Sequence, residues 1–140
     1  SERTGSVAKI VLAEDNDDLR EMYAMVLAAE GYTVEAASHG QEALELIQSC
    51  QPDLLLLDLW MPILDGFQVL EALRALPEAT HLRVIVLSNA TDADSRFEAY
   101  GLGVEEFVDK TTALDTLIEH IKAIVPPSST SPSSVPCGHE

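Results

Sequence analysis

Residues 54–66 read Leu54-Leu55-Leu56-Leu57-Asp58-Leu59-Trp60-Met61-Pro62-Ile63-Leu64-Asp65-Gly66. Four consecutive leucines without polar alternation fit a strand buried on both faces, and a buried helix would tolerate them too. The run is short and flanked by Pro52-Asp53 and Asp58, which favours the strand. A strand buried on both faces belongs to a parallel sheet with helices on each side, so the rest of the chain must supply those helices.

It does. Short runs rich in Val, Ile or Leu predict strands at Lys9–Ala13, Thr33–Ala37, Asp53–Leu57, Arg83–Ser88 and Glu105–Asp109. Between them, helical periodicity predicts helices at about Asp17–Glu30, Gln41–Gln48, Gly66–Leu76, Asp92–Tyr100 and Ala113–Val125. The first should bury Leu19, Met22, Tyr23, Val26 and Leu27 and stop at Gly31. The second should turn Leu44 and Ile47 inward. The third uses Phe67, Leu70 and Leu73 and halts at Pro77. The fourth is alanine-rich and has the weakest apolar stripe. The last carries Leu114, Leu117, Ile118, Ile121 and Ile124, with Thr112 and Asp115 spaced as a capping box. Five strands alternating with five helices give an α/β fold with a doubly wound parallel sheet. One domain spans 8–125, after a disordered or appended stretch at 1–7. The Pro- and Ser-rich residues 126–140 are expected to be disordered.

The chain has 140 residues with 8 basic against 24 acidic, a formal charge of −16. Such a surface repels nucleic-acid phosphates and anionic membranes, so neither is expected as a partner, and it suits cations or basic surfaces. No apolar run approaches the roughly 18 residues of a membrane helix. The two cysteines, Cys50 and Cys137, have no metal-binding spacing and make no disulfide framework. A reduced, cytoplasmic location is therefore expected.

In open α/β sheets ligands sit beyond the carboxyl ends of the strands. There the chain places Glu14-Asp15-Asn16-Asp17-Asp18, then Asp58, Ser88-Asn89 and Asp109-Lys110. Carboxylates about 4 Å apart repel by about 4 kcal/mol at an effective dielectric near 20, so Glu14, Asp15 and Asp58 need a countercharge. Lys110 supplies one, and a hard divalent cation with oxygen ligands would supply more. Asp17 and Asp18 are adequately explained as the acidic start of the first helix. Phosphoryl transfer needs an oxygen nucleophile, Mg²⁺ and donors aimed at the developing charge. Asp58 can be that nucleophile, with Ser88 and Lys110 as donors.

At these residues the sequence resembles the response regulator receiver domains of two-component signalling. The resemblance runs from about Ala8 to Val125 and rests on Glu14-Asp15, Asp58 with Met61-Pro62 and Asp65-Gly66 behind it, Ser88 and Lys110. It implies a single flavodoxin-like domain of strand order 2-1-3-4-5. It implies that Asp58 accepts a phosphoryl group from a sensor histidine kinase or histidine phosphotransfer protein. Asp15, Asp58 and the Trp60 backbone carbonyl would hold Mg²⁺ or Mn²⁺, with Glu14 helping through water. Ser88 and Phe107 would act as switch residues that reshape the fourth-helix, fifth-strand and fifth-helix surface for a downstream protein. Such a chain catalyses only its own phosphorylation and dephosphorylation, and is otherwise no enzyme.

Departures from the family pattern sharpen the expectations. Thr111 follows Lys110 where receivers commonly have a proline joined by a cis bond, and a cis bond to a non-proline residue costs about 3–4 kcal/mol. The resemblance places Trp60 and Ala90 at positions that flank the path of the hydrolytic water, and a bulky and an apolar residue there are expected to prolong the phosphorylated state. A phosphorylation-independent docking receiver is one alternative. A haloacid-dehalogenase-type phosphatase is another, but it needs a second Asp two residues after the first, and Trp60 has no acid proton to give.

Overall fold

The computed structural model describes residues 7–59, 65–79, 82–88 and 93–127. Five strands and five helices alternate: β1 (Lys9–Ala13), α1 (Asp17–Ala29), β2 (Thr33–Ala37), α2 (Gly40–Cys50), β3 (Leu54–Asp58), α3 (Gly66–Arg74), β4 (Arg83–Ser88), α4 (Ala93–Gly101), β5 (Glu106–Asp109) and α5 (Leu114–Ile124). A short 3-10 turn, Pro77–Ala79, follows α3. All strand pairs are parallel, in the order β2-β1-β3-β4-β5. The fold class and strand order are those expected.

The leucine run shows why. Because side chains alternate across a strand, Leu55 and Leu57 pack with Ala43, Ile47, Val69, Leu70 and Ala99 beneath α2, α3 and α4. Leu54 and Leu56 pack with Tyr23, Leu27, Leu117 and Ile121 beneath α1 and α5. All four leucines are fully buried, so both faces of β3 are core and no polar position survives between them.

Several details differ from expectation. Strand β3 runs one residue later and so includes Asp58 itself, while β5 begins at Glu106. Helix α2 extends to Cys50, and α3 stops at Arg74. Helix α1 buries Tyr23 and Leu27, but Met22 is 37% exposed and Val26 only half-buried. Leu19 and Ala24 complete the stripe as partly buried residues packed against the same core. The Thr112–Asp115 capping box does not form: Ala113 caps α5 without a side-chain bond. It forms instead at α3, where the Gln68 backbone N–H donates to Asp65 and the Gln68 side chain accepts from the Asp65 N–H. Cys50 is disulfide-bonded, against the expected reduced thiol; Cys137 lies outside the described residues.

The end of α5 is anchored to the opposite end of the sheet from the acidic rim. Tyr32 donates a 2.6 Å hydrogen bond to the Val125 carbonyl, and burial, aided by the Glu30 charge, pushes its hydroxyl up to about 12. Beyond α5 the chain still bonds to the residue that precedes β1, through Ala8 N–H to the Pro127 carbonyl at 3.0 Å. The expected disordered tail falls, from residue 128 onward, outside the described residues.

Candidate functional site

The parallel register decides what meets at the carboxyl edge. Ala13 pairs with Leu57, so Glu14 and Asp58, each the next residue, stand side by side. Ser88 pairs with Asp109, and the Lys110 N–H donates to the Ser88 carbonyl at 3.1 Å, so Lys110 leaves the sheet beside Ser88. Glu14, Asp58 and Ser88 are buried, while Asp15 is exposed.

Oxygens of Glu14, Asp15 and Asp58 lie within 4.8 Å of one another. At that separation each carboxylate pair repels by about 3–4 kcal/mol at an effective dielectric near 20. Lys110 answers part of it: its ammonium sits 2.8 Å from Glu14 Oε1 and 3.3 Å from Asp58 Oδ2. Burial alone would lower the Lys110 pKa, but the Glu14 hydrogen bond and the charges of Asp58 and Glu14 outweigh it and raise it. Glu14 is further fixed by the Asn16 N–H, which donates to Oε2 at 3.1 Å. Asn16 also caps α1, so one residue holds both the helix and the acidic loop. The donors are all oxygen and their formal charge, three minus against one plus, is left unbalanced. That set fits a hard divalent cation such as Mg²⁺ and suits no thiolate- or imidazole-seeking metal.

The loop after β5 resolves the missing proline. No cis peptide is present among the described residues, so Lys110–Thr111 is trans. Thr111 braces it instead: its N–H and its hydroxyl each donate to Asp109 Oδ1 at 2.8 Å. Those two bonds, the backbone one foremost, hold the Asp109 carboxyl below its ordinary value. An acid followed two residues later by a hydroxyl is a local turn signal that sequence reading passed over.

Gly66 serves by close approach rather than by unusual backbone angles. A Cβ there would meet the Leu59 Cα at 2.6 Å and the Asp58 carbonyl oxygen at 2.8 Å, and the Gly66 N–H donates to the Leu59 carbonyl at 2.8 Å. Backbone atoms cannot move aside cheaply. Gly66→Ala is therefore expected to cost about 1–3 kcal/mol as an overpacked site, read as a lower urea midpoint. It should also slow any chemistry at Asp58, whose own carbonyl is the second obstacle.

Glu14, Asp15, Asp58 and Lys110 are thus brought together, with Ser88 on the neighbouring strand end. Phe107 lies in the core beneath α4, 5% exposed. Trp60, Met61, Pro62, Asn89 and Ala90 lie outside the described residues.

A family model for the response regulator receiver domain matches residues 10–122. Among curated relatives, the response regulator MprA of Mycobacterium ulcerans (strain Agy99) is 35% identical over 117 residues, covering 84% of this chain and 50% of that protein. MprA of Mycobacterium sp. (strain KMS) is 33% identical over 128 residues, 91% of this chain and 54% of that protein. The chain thus spans about half the length of the curated relatives it matches. Among solved structures, chemotaxis protein CheY4 of Vibrio cholerae superposes with a TM-score of 0.81 at 26% identity, covering 86% of this chain and 100% of that one. Response regulator protein TrrA of Thermotoga maritima, solved in complex with Mg²⁺ and BeF, gives 0.74 at 28% identity over 84% of this chain and 99% of that one.

Proposed function

This chain belongs to the response regulator receiver domain family, and from that premise we propose that Asp58 accepts a phosphoryl group from the phosphohistidine of a sensor histidine kinase or histidine phosphotransfer protein. The observation that carries the reading is the pairing of one ammonium, Lys110, with both Glu14 and Asp58 inside a three-carboxylate cluster. A nucleophile held among like charges at a strand end is what an incoming electrophile with a cation would need.

In the step, a carboxylate oxygen of Asp58 forms the new P–O bond. The P–N bond of the donor breaks, and its electron pair stays on the imidazole nitrogen. Asp15 and Asp58, with Glu14 nearby and the Trp60 carbonyl as a further ligand, are the residues that would hold Mg²⁺. When bound, the ion neutralises charge on the phosphoryl oxygens. Lys110 is already charged and aimed at Asp58, so it can pair with another phosphoryl oxygen without reorganisation. Ser88 supplies a hydroxyl from the next strand.

The output surface is proposed to be α4, β5 and α5. On α4, Phe97 is 83% and Tyr100 46% exposed, which supports this face as one where a downstream protein docks. No helix among the described residues is long and apolar enough to cross a membrane. The test is intact-protein mass after incubation with Mg²⁺ and acetyl phosphate. A gain of a phosphoryl group that chelation abolishes supports the reading, and no gain turns it toward a docking receiver that works without phosphate.

A further inference from the structure

Helix α4 is held differently from the other helices. Among its described side chains only Ala99 is buried, while Phe97 and Tyr100 face solvent. A single buried alanine removes little apolar surface, so the described side chains of α4 anchor it only weakly by packing. Two further contacts reach from α4 to Phe107 on β5, and the Arg96 charge also acts on the nearby Asp109 carboxyl. The Arg96 guanidinium carbon lies 5.0 Å from the centroid of the Phe107 ring. The Phe107 backbone N–H donates to the Tyr100 hydroxyl oxygen at 3.1 Å. Arg96 and Tyr100 are four residues apart, one helical turn, and so share a face.

Strand β5 is a sheet edge, where alternate N–H groups face away from the neighbouring strand and have no strand partner. Tyr100 fills that role for Phe107, and Arg96 covers the ring of the same residue. Ser88 lies near by register: Val86 pairs with Phe107 and Ser88 with Asp109, and the two-residue period puts Ser88 and Phe107 on the same face of the sheet.

We infer that Arg96 and Tyr100 are positioning residues that clamp α4 onto Phe107, Arg96 through the ring and Tyr100 through the backbone N–H, so that movement of this one residue loosens the helix. The clamp is made of one cation–ring contact and one hydrogen bond rather than of apolar burial, which makes it easy to open. Its effect on phosphorylation rests on the phospho-acceptor reading of Asp58; its effect on α4 does not.

The test uses Tyr100→Phe, which keeps the ring and removes the hydroxyl, and Arg96→Met, which keeps length and removes charge. Arg96→Lys restores the cation. Amide hydrogen exchange is followed at Phe107 and along α4, together with the rate of phosphorylation by acetyl phosphate and Mg²⁺. Tyr100→Phe is expected to speed Phe107 exchange about fivefold, the worth of one ordinary hydrogen bond. Arg96→Met is expected to speed α4 exchange about two- to fivefold, the worth of an exposed cation–π contact, with Arg96→Lys close to wild type. Phosphorylation should quicken in the two opened variants by similar factors. Unchanged exchange in both overturns the clamp, as does an Arg96→Lys variant as loose as Arg96→Met, since a purely packing role would not distinguish charge. A wild-type chain that takes no phosphoryl group overturns the reading of Asp58, while exchange still decides the clamp.

Discussion

Lys110→Gln is expected to lower stability by about 3 kcal/mol, the scale found when one partner of a buried ion pair is removed, and the melting temperature by about 10 °C. The Lys110 side chain is only 11% exposed and Glu14 1%, so water cannot replace the lost charge. Three carboxylates within 4.8 Å would then face one another without the ammonium, each pair repelling by about 3–4 kcal/mol before relaxation. Two controls identify the cause. Millimolar Mg²⁺ should return much of the loss by supplying a cation to the same oxygens, and adding Glu14→Gln should do so without metal. The sign of the pH dependence follows from the raised Lys110 pKa. Its stabilisation is fully present below the ordinary lysine value of 10.5 and is lost as pH rises through the higher folded value. Thermal melts against pH should therefore show an alkaline loss that is smaller in Lys110→Gln than in the wild type, the remainder coming from the raised Tyr32 hydroxyl.

Asp58→Asn is expected to abolish phosphoryl incorporation from acetyl phosphate while leaving the fold intact. An amide oxygen cannot form the acyl phosphate, whereas its size and polarity match the carboxylate it replaces. Stability supplies a second signature. The substitution removes repulsion with both Glu14 and Asp15 and gives up one 3.3 Å attraction to Lys110. Two repulsions of about 3–4 kcal/mol against one attraction of about 5 kcal/mol leave, from these three charge pairs, a small net gain. Without metal the variant should therefore melt at or above the wild-type temperature, and Mg²⁺ should stabilise it less than it stabilises the wild type. A destabilised Asp58→Asn that still takes up phosphate would contradict both halves.

The parts of this molecule that sequence could reach are those governed by period and by strand ends. Leu54–Leu57 revealed a strand with two buried faces, and the alternation of strands and helices then required a sheet whose carboxyl edge gathers Glu14, Asp15, Asp58, Ser88 and Lys110. What stayed hidden depends on contacts between distant segments. Nothing local says that Gly66 must lie against the backbone of Leu59, and Met22 satisfies the helical period yet faces outward. Thr112 with Asp115 resembles a capping box in spacing, whereas the box forms at Asp65 with Gln68, which has the usual Gln at N3 and an acid in place of Ser or Thr at the cap. The brace from Thr111 to Asp109 was legible in principle, since an acid with a hydroxyl two residues on is a turn motif. Arg96 over Phe107 was not, because the two are brought together only by the packing of α4 against β5.

The central claim is that Asp58 itself carries the phosphoryl group. An aspartyl phosphate is an acyl phosphate, which borohydride reduces to homoserine, leaving a permanent mark on the acceptor. The wild-type chain, treated with acetyl phosphate and Mg²⁺ and then borohydride, should yield homoserine at position 58 by peptide mass mapping, and nowhere else. An unmodified Asp58, or a mark at Asp15 or Glu14, would contradict the account.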